Sequence, residues 1–398
     1  SFVSGPAGGT LVFSDASSPT STVTANAYGA YQVEWRFSSG SGIGACSPRT
    51  DFATITFNQP ATATVPADFM TCVDQSTLPT LTPIALSGAN LVSGGATQGR
   101  WQIVSGTGVM QSSNALTGAL VTNATSFLDH YVPDVGETSV QIRMVAQDPD
   151  GAGPCTNVNS APLTITLDRK PTDANAGLDV SICDGAVAQL NAIAANNGGT
   201  GVWSGTDGVI ANVNLFNSTV SGLTAAGSPY TFTWTVTSVN NGLAGACAPT
   251  TDDVEVIVNP LPAAIDPAPA DLCETTELSG VAVGVTLATY NDDVTGNAAN
   301  RTVEWFTSPA DIIAGLPLGP TTDISNGEIL FTRVTDNLTS CFTDGVVTFT
   351  VNPRPIAIDE NFAVCEQTIG SNDAVFDLTD PLYLNAITSG IPDRSITW

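Results

Sequence analysis

The stretch Gly245-Ala246-Cys247-Ala248-Pro249-Thr250-Thr251-Asp252-Asp253-Val254-Glu255-Val256-Ile257-Val258-Asn259-Pro260-Leu261-Pro262 holds a turn, a strand and a stop. Val254 to Val258 sets β-forming residues at a period of two, which gives a sheet one buried and one solvated face. Asn259-Pro260-Leu261-Pro262 ends the strand, because proline has no N–H for the ladder and fixes its own φ. The small residues Gly245 and Ala246 before Cys247 suit a tight turn.

The same order recurs along the chain. Phe52 to Phe57, Leu163 to Leu167 and Val346 to Val351 are similar strands, followed by Gln59-Pro60, Lys170-Pro171 and Asn352-Pro353-Arg354-Pro355. Cys46, Cys155 and Cys341 precede these runs as Cys247 does. A second class of cysteine, Cys72, Cys183, Cys273 and Cys365, follows each proline signal. Steps within this class are 111, 90 and 92 residues, and within the other 109, 92 and 94. That period is too long for a solenoid repeat and fits an immunoglobulin-like sandwich of about 100 residues.

Trp101, Trp203, Trp305 and Trp398 recur where a third strand places its large core residue. Tyr31 to Phe37, Val140 to Val145, Tyr230 to Val236 and Ile329 to Val334 supply a later strand. No segment sustains a 3.6-residue period with caps; Ala310 to Ala314 gives at most one helical turn before Gly315 and Pro317. The fold class is all-β: tandem immunoglobulin-like β-sandwich domains in an extended rod. Boundaries at the proline signals give a partial domain at 1–60, whole domains at 61–169, 170–260 and 261–353, and a partial domain at 354–398. Ser1-Phe2-Val3-Ser4-Gly5 aligns with Gln102-Ile103-Val104-Ser105-Gly106, so the chain reads as a window on a longer repeat protein.

Composition narrows the function. The 398 residues carry 10 Lys and Arg against 37 Asp and Glu, a formal net charge of −27, with 42% apolar residues. That apolar content is unlike a disordered acidic chain. Lys170 is the one lysine and His130 the one histidine. Without basic clusters the chain lacks the means to bind nucleic acid or an anionic membrane surface, and no apolar run approaches a membrane span.

Paired cysteines in every repeat point to an oxidising compartment and to disulfides. One histidine and no CxxC argue against zinc. Two pairings are open. Within domains the set is Cys72–Cys155, Cys183–Cys247 and Cys273–Cys341. Strand length points to a crossing set, Cys72–Cys247 and Cys183–Cys341. Cys183 lies 12 residues past Pro171 and Cys247 lies 13 before Pro260; at about 3.3 Å per residue each is a domain length from its own linker. The crossing set gives Cys46, Cys155, Cys273 and Cys365 partners beyond the chain. If the first strand is split or folded back, the within-domain set holds.

Enzyme chemistry finds little here. A serine triad would have to use His130, which reads as a surface turn or strand edge. Asp252-Asp253 and Asn291-Asp292-Asp293 differ from repeat to repeat and read as solvated turns, as do Asp15, Asp207 and Asp344. Calcium is the better metal candidate, with oxygen ligands at Asp148, Asp150, Asp292 and Asp293, although no EF-hand spacing is present. No other cofactor is expected. The tryptophans are core residues first and sugar platforms second. Asn-x-Ser/Thr triplets occur at Asn123, Asn217, Asn300 and Asn337.

Ala174-Asn175-Ala176-Gly177-Leu178-Asp179-Val180-Ser181-Ile182-Cys183-Asp184-Gly185, the Gly-x-Trp motifs, the Gly151 to Cys155 turn, the Asn-Pro-x-Pro linkers and Ala374 to Thr379 resemble repeats of large cell-surface proteins of gliding and biofilm-forming Bacteroidota. Those repeats are immunoglobulin-like or PKD-like and belong to proteins exported by the type IX pathway. The resemblance implies a non-enzymatic extracellular adhesin or filament for attachment or gliding. Its expected partners are further domains of the same chain, identical chains in a filament, and surface glycans. The alternative is a carbohydrate-binding or spacer region of a secreted polysaccharide-degrading enzyme.

Overall fold

The computed structural model describes residues 1–398 except 39–46, 75–82, 87–90, 112–129, 152, 154, 268–269, 357–359, 372, 389–395 and 397–398. Cys46, Asn123 and Trp398 lie outside the described residues. The chain is all-β, built from sandwiches of mostly antiparallel strands with a few short helices.

Three sandwiches repeat one strand order in their main sheets. In the middle one, the order is Val180–Cys183, Thr250–Asn259, Tyr230–Thr237, Thr200–Ser204. The third repeats it with Ala270–Cys273, Phe342–Asn352, Ile329–Asp336 and Arg301–Phe306. The first has Phe69–Val73, Leu163–Arg169, Ser139–Ala146 and Gly99–Ser105, with Val158–Asn159 added. Before them, Phe2–Ser4, Gly29–Phe37 and Arg49–Phe57 form a smaller sheet. Phe2 pairs with Val33 there as Ile103 pairs with Ile142 in the first sandwich, with a register shift following each.

One feature has no signal in strand periodicity. The opening strand of each sandwich runs parallel to its closing strand, with Val180 opposite Val256 and Cys183 opposite Asn259. The other two sandwiches match, with Cys72 opposite Asp168 and Cys273 opposite Asn352. Parallel pairing carries each opening-strand cysteine to the end of the sandwich from which the closing strand leaves.

Each sandwich has its own core. In the middle one Trp203, Phe232, Trp234, Val254 and Val256 are at most 1% exposed. Trp203 and Trp234 are directly paired across strands, so they share a face, with ring centroids 5.0 Å apart. Trp101 and Trp305 are buried in the first and third cores. Tyrosine hydroxyls tie two penultimate strands to the backbone upstream. Tyr31 donates to the Ala27 carbonyl at 2.8 Å and Tyr230 to that of Thr224 at 2.9 Å, the corner expected of immunoglobulin-like sandwiches.

The structure corrects three readings. Asn291 to Asp293 is the start of a helix, Asn291–Thr295, rather than a solvated turn. Val294 anchors it in the core, and Gly296 ends it at φ 61°. Pro381–Thr388 is a helix where none is expected. Its signal was Asp380-Pro381: the Asp380 carboxylate accepts from Leu382 N at 2.8 Å, and proline is at home in a first helical turn. Third, Asp344 is a strand residue ion-paired with Arg333 at 2.8 Å, not a turn former. The turn at 310–314 is the helix Pro309–Ala314, capped by Ser308 and ended by Gly315.

Separate cores make separate folding units. Trp203→Ala should destabilise the middle sandwich by about 3–5 kcal/mol, through lost burial and a cavity. Calorimetry should resolve one lowered transition. Uniform lowering of all transitions would show instead that the cores melt as one.

Candidate functional site: the stapled joints between sandwiches

Four cysteines of the described chain are joined in two disulfides, and both cross between sandwiches. Cys72 bonds Cys247 with Cα atoms 4.7 Å apart, and Cys183 bonds Cys341 at 5.6 Å. The within-domain set is not formed: Cys72 and Cys155 are not joined, nor are Cys183 and Cys247, nor Cys273 and Cys341. The opening-strand cysteine sits at the exit end of its own sandwich. The turn cysteine, before its closing strand, sits at the end facing the preceding sandwich. Only neighbours in the array bring the two within bridging distance.

Cys72 is exposed, whereas Cys247 is 2% and Cys341 0% exposed. The staple therefore seats a buried turn of one sandwich against the strand end of the one before. Gly245 allows this at the first joint. Its φ is +85°, and a Cβ there would collide with the Met70 carbonyl oxygen of the preceding sandwich. Only glycine meets both conditions without strain.

Asp168 lies beneath the first staple and is 1% exposed. Oδ2 accepts from Cys247 N at 2.7 Å and Oδ1 from Asn240 Nδ2 at 2.9 Å, both across the joint. Burial by itself raises the pKa of the carboxyl, but the donors around it outweigh burial and hold it below its ordinary value. Arg169 Nη2 donates to Asn197 Oδ1 at 2.9 Å, and Asn197 Nδ2 donates to the Lys170 carbonyl at 2.9 Å. Lys170 bridges Asp173 at 2.8 Å and Asp74 at 3.5 Å. None of these cross-joint contacts shows in the sequence, since Asp168 resembles any acidic residue ending a strand.

The calcium candidates divide. Asp148 and Asp150 come together with Cys155, their ligand atoms all within 4.8 Å of one another. Backbone amides already occupy these carboxylates: Asp150 N donates to Asp148 Oδ1 at 3.1 Å, and Gly153 N to Asp150 Oδ1 at 3.0 Å. Burial, then Asp150, push the Cys155 thiol above its ordinary value. Asp292 and Asp293 lie in the first turn of the short helix and do not join a cluster. The neighbouring Asn291 accepts from Trp305 Nε1 at 3.0 Å, a structural role.

Trp101, Trp203 and Trp305 are core residues rather than platforms, whereas Trp35 is 44% exposed. Trp203 is 1% exposed and donates to the Leu215 carbonyl at 3.1 Å; Trp101 is likewise buried. His130 pairs in a short strand with Gln111 and Ala85. Of the remaining described cysteines, Cys155 is half-buried, and Cys273 and Cys365 are exposed.

Comparisons place these features beside known proteins. Residues 269–355, the third sandwich with Cys273 and Cys341, match the family described as the Flavobacterium inter-domain disulphide bond domain. No curated protein matches the chain. Among solved structures, the ICAM-5 D1–D4 ectodomain fragment is 12% identical, with a TM-score of 0.37 over 82% of this chain and 84% of that one. Sidekick-1 immunoglobulin domains 1–4 are 13% identical, with a TM-score of 0.23 over 86% and 90%. The human Desmocollin-1 ectodomain is 10% identical, with a TM-score of 0.25 over 85% and 71%. The likeness is one of fold alone.

Two outcomes test the joint. Gly245→Ala should lower the oxidised fraction of Cys72 and Cys247 while Cys183–Cys341 still forms, as read by mass spectrometry of non-reduced peptides. Asp168→Asn should cost about 1–3 kcal/mol, because an amide places N–H against a donor. The folded-state pKa of Asp168 is depressed. Its contribution is therefore complete above the ordinary value of 3.8 and lost as pH falls through the lower folded value. Thermal midpoints from pH 6 to pH 2 should flatten in the variant; an unchanged acid slope would remove Asp168 from the account.

Proposed function

We propose that this chain is part of an extracellular, non-enzymatic rod of disulfide-stapled immunoglobulin-like sandwiches, serving attachment or gliding at a bacterial surface after type IX export. The observation that carries the reading is the interleaving of the staples. One spans residues 72–247 and the other 183–341, so they overlap across 183–247.

Interleaving suits a tensile element. With both bonds closed, the shortest covalent path from Cys72 to Cys341 uses only residues 183–247 of the backbone. At roughly 3.4 Å per residue, extension is limited to about 200 Å, against about 900 Å for the open chain. A single backbone cut anywhere between residues 72 and 341 leaves at least one staple across it. An enzyme working on a diffusing substrate gains nothing from such redundancy; a strut exposed to shear and proteases does.

The other parts of the reading follow the same logic. Cys273 stands where Cys72 and Cys183 stand, and Cys155 where Cys247 and Cys341 stand. The proposal assigns their partners to further sandwiches of the same kind. A net charge of −27 with one lysine favours solubility and weak adsorption to anionic surfaces. The family match at 269–355 supports a Bacteroidota source and an extracellular setting. Identical chains in a filament and surface glycans are the proposed partners. Trp101 and Trp203 are buried in their cores and so do not serve the carbohydrate-binding alternative as platforms.

A protease site inserted at the exposed Asp207 turn tests the tensile role. After cleavage the chain should run as one species without reductant and as two with it. Separation without reductant would show that the staples do not hold. For the rod itself, negative-stain microscopy of the intact surface protein should show rods or fibres; short globular particles would overturn it.

A further inference from the structure

The two stapled joints differ at one register position. Opposite the opening-strand cysteine stands Asp168 in the first sandwich and Asn259 in the second. A carboxylate offers acceptors only, so Asp168 takes the Cys247 amide and the Asn240 side chain of the next sandwich. Asn259 carries donors, and they turn back. Its Nδ2 donates to Ser181 Oγ at 2.8 Å and to the Ile182 carbonyl at 3.1 Å, both in its own sandwich.

The linkers continue the contrast. At the first joint Arg169 and Lys170 are both gripped by Asn197, and Lys170 reaches back to Asp74. At the second, Pro260 and Leu261 stand where the cations stand. Asp184, next to Cys183, accepts from Ala225 N of its own sandwich at 3.3 Å. Among the described residues, no hydrogen bond or ion pair joins 170–259 to 270–352, and the Cys183–Cys341 bond crosses the joint.

We infer that the joints are mechanically unequal: Asp168 and its neighbours keep the first joint docked without its disulfide, while the second is a hinge tethered by Cys183–Cys341. The reason is geometric. A linker and a staple are two points, and two rigid bodies joined at two points still rotate about the line between them. The Asp168–Asn240 and Arg169–Asn197 contacts add further points at the first joint and remove that rotation. Among the described residues, the second joint has no such polar contact. Disulfide reduction therefore loosens one joint and spares the other, which makes the rod's stiffness redox-dependent at one place.

Pulsed electron paramagnetic resonance on the full chain tests this, with spin labels on genetically encoded non-cysteine side chains. Val135, Val209 and Ile313 are exposed positions, one per sandwich. In the oxidised protein the Val135–Val209 distance distribution should be the narrower of the two. On reduction with a phosphine, Val135–Val209 should stay unchanged while Val209–Ile313 broadens. In reduced Asp168→Asn, Val135–Val209 should broaden as well. Asn240→Ala, which removes one donor and keeps the carboxylate, serves as the second variant and should show a smaller broadening. Broadening of Val135–Val209 in the reduced parent protein, from any cause, overturns the inference. So does a Val209–Ile313 distribution that reduction leaves unchanged, or a reduced variant pair that matches the parent.

Discussion

The parallel pairing of opening and closing strands is the constraint on which the rest of the structure depends. A strand advances about 3.3 Å per residue, and backbone hydrogen bonds fix its register. Once Val180 lies opposite Val256, Cys183 must lie opposite Asn259, at the sandwich's exit. No cysteine placed there can reach the turn at the opposite end of its own sandwich. The staples cross the joints because the ladder leaves the sulfur atoms no other neighbour.

Cores and joints answer to different physics. Each sandwich buries its own aromatic and aliphatic layer, with Trp203 and Trp234 in the middle one and Trp305 and Phe349 in the third. Burial of this kind is tolerant of detail and recurs from repeat to repeat. The joints rest instead on a few polar atoms and two sulfur bonds. There, one change of residue type redirects the contacts: Asp168 faces forward into the next sandwich, and Asn259 faces back into its own. Geometry at a joint is thus set by donor and acceptor inventory rather than by apolar area.

Much of the fold was legible. Period-two runs such as Leu163 to Leu167 gave the closing strands, the Gly-x-Trp motifs gave core positions, and proline pairs gave strand ends. The helix Pro381–Thr388 is missed by periodicity, and its one local signal is Asp380-Pro381, a cap followed by a first-turn proline. The helix at Asn291 was harder. Three polar residues look like a turn until Val294 is seen in the core, and a five-residue helix has too little length for a period. Asp168 could not have been singled out, because its partners Asn240 and Cys247 are 72 and 79 residues away.

By itself the sequence determined the repeat, the all-β class, the two classes of cysteine and the poverty in basic groups. Each of these depends on residues close together in the chain or on simple counts. Cysteine spacing left two pairing sets open, since spacing measures distance along the chain and a disulfide needs distance through space. Only the tertiary structure decided which sulfurs meet and which joint is bridged by a buried carboxylate. Those outcomes depend on where strands of different sandwiches end relative to one another, and strand-by-strand periodicity does not encode that.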